Sequence, residues 1–119
     1  MASTGTKDIS YKELKKLVEQ SQDLFLIDVR RQEELEKGRI PKSVNIPIDT
    51  VDVALAMEPD VFKAEYGIAK PALDAPALVF YCQIGKRAVL ATEKARKLGY
   101  INARSYAGSY NEWSAKEGK

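Results

Sequence analysis

Ala77-Leu78-Val79-Phe80-Tyr81, followed without a break by Cys82-Gln83-Ile84-Gly85-Lys86-Arg87, is the stretch that decides the fold. The first five residues are a continuous apolar run. A run without polar alternation suits a strand buried on both faces, as in a parallel sheet. Beyond Arg87 the period changes. Ala88, Ala91, Ala95 and Leu98 recur at helical spacing, and Gly99 follows as a stop. A buried strand that turns directly into a helix is half of a βαβ unit.

Working outward, the same alternation recurs. Leu24-Phe25-Leu26-Ile27 is a second buried run, ending at Asp28. Before it, Ser10-Tyr11-Lys12-Glu13 reads as a capping box that opens a helix, with Ile9 and Leu14 placed as a hydrophobic staple. After it, a short charged helix is expected from Arg31 to Lys37, stopped by Gly38. Val44-Asn45-Ile46 is expected as a third strand. Short helices are expected over Thr50 to Met57 and Pro59 to Tyr66, and a Pro-containing loop over Lys70 to Pro76. Downstream, Ala103 to Ala107 reads as a last strand. Ser109-Tyr110-Asn111-Glu112 reads as a second capping box before a helix carrying Trp113. This alternation implies an α/β fold, a mainly parallel sheet with helices on both faces. Ligands of such sheets bind beyond the carboxyl ends of the strands, which is where Cys82 falls.

The 119 residues suit one domain, expected over 8–117, with residues 1–7 as a flexible N-terminus. At 45% hydrophobic and 30% charged, the composition argues against disorder. A formal net charge of +2 does not suggest a binder of nucleic acid or of membrane surfaces. No stretch is long and apolar enough to span a bilayer, and no secretory or mitochondrial leader is evident, so the cytoplasm is the expected location. The chain has one cysteine and no histidine. That excludes an internal disulfide, a Ser-His-Asp triad, a Cys-His pair and a zinc site, and no cofactor or metal is expected. The chemistry must run on one thiol, carboxylates, amines, hydroxyls and backbone amides.

The segment from Cys82 to Arg87 can supply it. A strand delivers the thiol, and the helix that follows has first-turn N–H groups without internal partners. Those groups, the helix dipole, and the cations Lys86 and Arg87 all favour thiolate over thiol. Gly85 lets the loop curl so that successive amides face inward as an anion nest. A lone cysteine at a strand end is more often a small buried hydrophobe, but this context points to a nucleophile. Cations in a first helical turn oppose the dipole, so Lys86 and Arg87 call for an anionic partner. Asp28 and Arg30 are candidate supporting residues. An ion pair that fixes the loops at the sheet edge is favoured for them over direct contact with substrate.

At this point the motifs resemble a known family. Cys82-Gln83-Ile84-Gly85-Lys86-Arg87 resembles the Cys-x-x-Gly-x-Arg active-site loop of rhodanese domains. Asp28-Val29-Arg30 resembles the family's Asp-Val-Arg motif. Gly38 to Pro47 resembles Gly-His-Ile-Pro-Gly-Ala-x-Asn-Ile-Pro, with Arg39 in place of His and Lys42-Ser43 in place of Gly-Ala. Gly99-Tyr100 and the segment Tyr106 to Trp113 resemble its C-terminal motifs. The match runs over about residues 8 to 117. The loop, Met57-Glu58-Pro59 and Tyr106-Ala107-Gly108 further resemble a subgroup of small single-domain eukaryotic members, the thiosulfate:glutathione sulfurtransferases.

The resemblance implies a rhodanese-like fold around a central, mainly parallel five-stranded sheet. It implies transfer of sulfane sulfur from thiosulfate, through a Cys82 persulfide, to a thiol such as glutathione, or to cyanide in an assay. Cys82 would be catalytic, and Gln83, Ile84, Gly85, Lys86 and Arg87 would bind substrate. The expected partners are a small-molecule donor and a thiol acceptor, with a protein acceptor in a sulfur relay as an alternative, and the chain is expected to be a monomer. Two rivals stand beside this reading. One is a non-enzymatic persulfide carrier or binding module. The other is a cysteine phosphatase, whose loop runs Cys-x5-Arg. Here only four residues separate Cys82 from Arg87, a loop that better fits a single sulfur atom.

Overall fold

The computed structural model describes residues 8–117 apart from Gln22. The expected flexible stretch, residues 1–7, lies outside the described residues. Five parallel strands form one sheet: β1 (Asp8–Ile9), β2 (Leu24–Asp28), β3 (Ser43–Asn45), β4 (Ala77–Tyr81) and β5 (Ala103–Tyr106), in the order β1-β5-β4-β2-β3. Five α-helices surround it: α1 (Tyr11–Gln20), α2 (Val51–Leu55), α3 (Pro59–Tyr66), α4 (Lys86–Lys97) and α5 (Ser109–Glu117). Short 3-10 turns cover Gln32–Lys37 and Ile48–Thr50.

The strand order explains how the helices divide between the faces. From β1 through β2 to β3 the chain moves toward one edge, and from β3 through β4 to β5 it moves back. With right-handed crossovers, opposite directions of travel put the helices on opposite faces. Two separate cores result. On one face Leu14 and Val18 of α1 pack with Val79, Tyr81 and Trp113. On the other, Phe62 of α3 and Ala88, Ala91 and Ala95 of α4 pack with Leu78, Phe80 and Cys82. Residues of β4 thus alternate between the cores, and all five are buried, which accounts for the unbroken apolar run. The two directions of travel part at β2 and β4, and a crevice is expected beyond the carboxyl ends of those strands. Asp28 pairs with Tyr81 at those ends, and Cys82 is the next residue.

Most elements lie where the sequence places them, including the capping box of Ser10 and Glu13. Some details differ: the helix expected over Thr50 to Met57 runs only from Val51 to Leu55, after the 3-10 turn at Ile48–Thr50. Strand β1 pairs with β5 although its two residues carry no pattern of their own. Strands β3 and β5 end one residue earlier than expected, at Asn45 and Tyr106. The charged helix before Gly38 is a 3-10 turn rather than an α-helix. The second capping box, Ser109 with Glu112, does not form. Ser109 sits inside the first turn of α5 and is fully buried. Its hydroxyl accepts a hydrogen bond from the Cys82 N–H, while the Glu112 carboxylate accepts one from the Tyr106 hydroxyl. Burial against the end of β4 outweighs the local capping preference.

Candidate active site

Cys82 leaves β4 and the chain turns at once into α4. Gly85 makes the turn with φ +107°, in the left-handed region. A Cβ there would lie 2.4 Å from the carbonyl oxygen of Ala107, so only glycine fits. The turn folds the Gly85 N–H back onto the Cys82 sulfur, at 3.0 Å. The sequence leads to an expectation of several inward-facing amides; among the described residues the Gly85 N–H is the one hydrogen-bonded to the sulfur. Cys82 has no exposed surface.

The first turn of α5 grips the same segment from behind. The Cys82 N–H donates to Ser109 Oγ at 3.1 Å, Tyr110 N–H donates to the Cys82 carbonyl at 2.9 Å, and Asn111 N–H donates to the Gln83 carbonyl at 3.0 Å. Amides that a helix start leaves without internal partners are thus spent on holding the nucleophile's backbone.

Asp28 and Arg30 are both fully buried and form a close ion pair, NH2 to Oδ2 at 2.7 Å, with Nε also directed at the carboxylate. The guanidinium goes on to the Gly38 carbonyl at 2.8 Å and to Gln83 Oε1 at 3.2 Å. Its carbon lies 4.6 Å from the centre of the Tyr110 ring, a cation–π contact. Gln83 passes the chain on, donating from Nε2 to Asn111 Oδ1 at 2.6 Å. A buried pair with its remaining donors satisfied can be kept without a large penalty. Here it ties β2, the 3-10 turn and the cysteine loop together.

The remaining loop residues divide. Ile84 is 58% exposed at the tip, and Lys86 is exposed beside it. Arg87 is not free: it donates from NH1 to Glu34 Oε1 at 2.7 Å and from NH2 to Oε2 at 2.9 Å. The Arg87 hydrogen bonds hold the Glu34 carboxyl down to about 2. The anionic partner that the first-turn cations require is thus supplied, for Arg87, by the chain itself. Sequence reasoning missed Glu34, Ser109 and Asn111. The sequence signal for Glu34 is that requirement for an anion, and Ser109 falls in a capping pattern.

The chain belongs to the rhodanese family: the model for the rhodanese-like domain matches residues 10–116. Among its relatives is human thiosulfate:glutathione sulfurtransferase, 47% identical over 113 residues that cover 95% of this chain and 97% of the relative. Thiosulfate sulfurtransferase RDL2, mitochondrial, of Saccharomyces cerevisiae is 37% identical over 94% of this chain and 75% of the relative. The solved structure of the human single-domain sulfurtransferase TSTD1 superimposes with a TM-score of 0.88 at 47% identity, covering 92% of this chain and 96% of that one.

Proposed function

We propose that this chain is a thiosulfate sulfurtransferase that hands sulfane sulfur to a thiol such as glutathione. The observation that carries the reading is the buried Cys82 sulfur receiving the Gly85 N–H at the start of α4. In the first step the Cys82 thiolate attacks the outer sulfur of thiosulfate. The S–S bond of the donor breaks, its electron pair leaves with sulfite, and a persulfide forms on Cys82. In the second step the acceptor thiolate attacks the outer persulfide sulfur, and the Cys82 thiolate is released. The Gly85 N–H, aimed at the sulfur, stabilises its anionic form in both states. Four residues between Cys82 and Arg87 leave room for one sulfur atom.

Donor recognition divides among the loop residues. Lys86, exposed at the rim, meets the sulfonate oxygens. Arg87 contributes through the hydrogen-bonding positions that Glu34 leaves open, and Gln83 orients the loop. Because Cys82 has no surface of its own, the Ile84–Lys86 tip yields as donor enters. The exposed Ile84 also favours a second reading, in which the acceptor thiol is carried by a protein that covers the tip. The free thiol of Cys82 suits a reducing compartment such as the cytoplasm.

The test is intact-protein mass after thiosulfate, and again after glutathione. A gain of one sulfur atom, absent in Cys82→Ser and removed by glutathione, is the expected result. Thiocyanate formation by Cys82→Ser would overturn the mechanism. A persulfide that survives glutathione but passes to a protein thiol would select the second reading.

A further inference from the structure

We propose that Ser109 is a positioning residue for Cys82: its buried hydroxyl fixes the backbone of the nucleophile and stands 3.8 Å from its sulfur. The inference rests on the reading of Cys82 as the nucleophile.

Two observations set Ser109 apart. It is fully buried, and its φ is +52°. Left-handed backbone is strained for a residue with a Cβ, a strain that glycine at the same position avoids. Among the described residues only Lys42 shares a positive φ without being glycine. What serine offers over glycine here is the hydroxyl, and both sides of that hydroxyl are committed. Oγ accepts from the Cys82 N–H at 3.1 Å and donates to the Tyr106 carbonyl at 2.8 Å. The alternative structural role is that of a helix cap. That role fails on geometry: Ser109 lies within α5, its acceptor side is taken by Cys82, and the next two amides of the helix donate to Cys82 and Gln83 instead.

The hydroxyl therefore does two things for the sulfur. It holds the Cys82 N–H in a fixed direction, which sets where Sγ sits under the Gly85 amide. It also places a second donor near Sγ, 3.8 Å away, beside the Gly85 N–H at 3.0 Å. When that sulfur is anionic, as thiolate or persulfide, the O–H exchanges the Tyr106 carbonyl for the sulfur, trading a neutral bond for a charge-assisted one that is roughly twice as strong.

The experiment compares Ser109→Ala and Ser109→Gly with the unaltered chain. Each is measured for the rate of Cys82 alkylation by iodoacetamide across pH, for kcat and KM with thiosulfate, and for Tm. Both variants lack the hydroxyl, but only glycine relieves the backbone. The expectation is that alkylation and kcat fall about tenfold in both, matching the loss of one buried hydrogen bond. The KM for thiosulfate should stay within about twofold, while Ser109→Gly melts above Ser109→Ala. Normal rates in both variants would overturn the proposal. So would a loss in Ser109→Ala that Ser109→Gly restores, since strain and not the hydroxyl would then be the cause. Alkylation does not depend on thiosulfate chemistry. Failure of the unaltered chain to accept sulfur would therefore strike the sulfurtransferase reading and leave the comparison of variants intact.

Discussion

Arg87 and Glu34 stand 53 positions apart in the chain and meet in a two-pronged ion pair, at 2.7 and 2.9 Å. Each side chain retains somewhat under a third of its exposure. The pair joins the end of the cysteine loop to the 3-10 turn after β2. It therefore holds the pitch of the loop, and it neutralises a cation that would otherwise oppose the dipole of α4.

Glu34→Gln should cost about 1 kcal/mol at pH 7, the upper range for an exposed pair with good geometry. The sign of the pH dependence follows from the carboxyl being held down, from 4.5 to about 2, by Arg87. The pair's contribution is complete above about pH 4.5 and disappears as pH falls toward 2. Urea unfolding of both proteins across this window should show the gap closing. A gap that is constant with pH would remove the ion pair as its cause.

Asp28→Asn should be far more damaging. It leaves the Arg30 guanidinium fully buried without its counter-charge, a loss of about 3–5 kcal/mol. Chemical denaturation measures it directly. A loss below about 1 kcal/mol would mean that water reaches Arg30.

Glycine substitutions separate strain from collision. Gly67 and Gly85 both have positive φ, but a Cβ at Gly67 meets nothing within 4 Å. Gly67→Ala should therefore cost about 1 kcal/mol, the strain alone. Gly85→Ala should cost more, because its Cβ would drive into Ala107, and it should also lose most of its sulfur transfer. Equal stability losses in the two variants would show that the Ala107 carbonyl moves away easily.

Lys42 has φ +72° at the position where the resembling family motif has glycine. Lys42→Gly should therefore raise stability by up to about 1 kcal/mol, a few degrees in Tm. The Lys42 side chain is exposed, so kcat should be unchanged. A lower Tm would show that the lysine side chain contributes more than its backbone costs.

The site was only partly legible in advance. Cys82, Gly85 and the direction of the chain at that point follow from the passage of an apolar run into a helical period, which is local information. The ion pair of Asp28 with Arg30 was also expected, because the two are neighbours on one strand end. Arg87 is expected to bind a substrate anion, and the structure adds a partner that no local pattern reveals, Glu34. Ser109 was read as a cap because Ser-x-x-Glu is a capping pattern. The pattern cannot register that the end of β4 lies against it.

By itself the sequence determined the alternation of strands and helices, the burial of β2 and β4 on both faces, and the delivery of one thiol to the start of a helix. All of these are set by hydrophobic period, caps and glycines, which act over a few residues. Only the tertiary structure decided the strand order, the pairing of the two-residue β1 with β5, the partner of Arg87 and the hydroxyl behind Cys82. Each of these joins groups far apart along the chain. Their contact arises from packing two separate cores against one sheet, and no local pattern of residues encodes it.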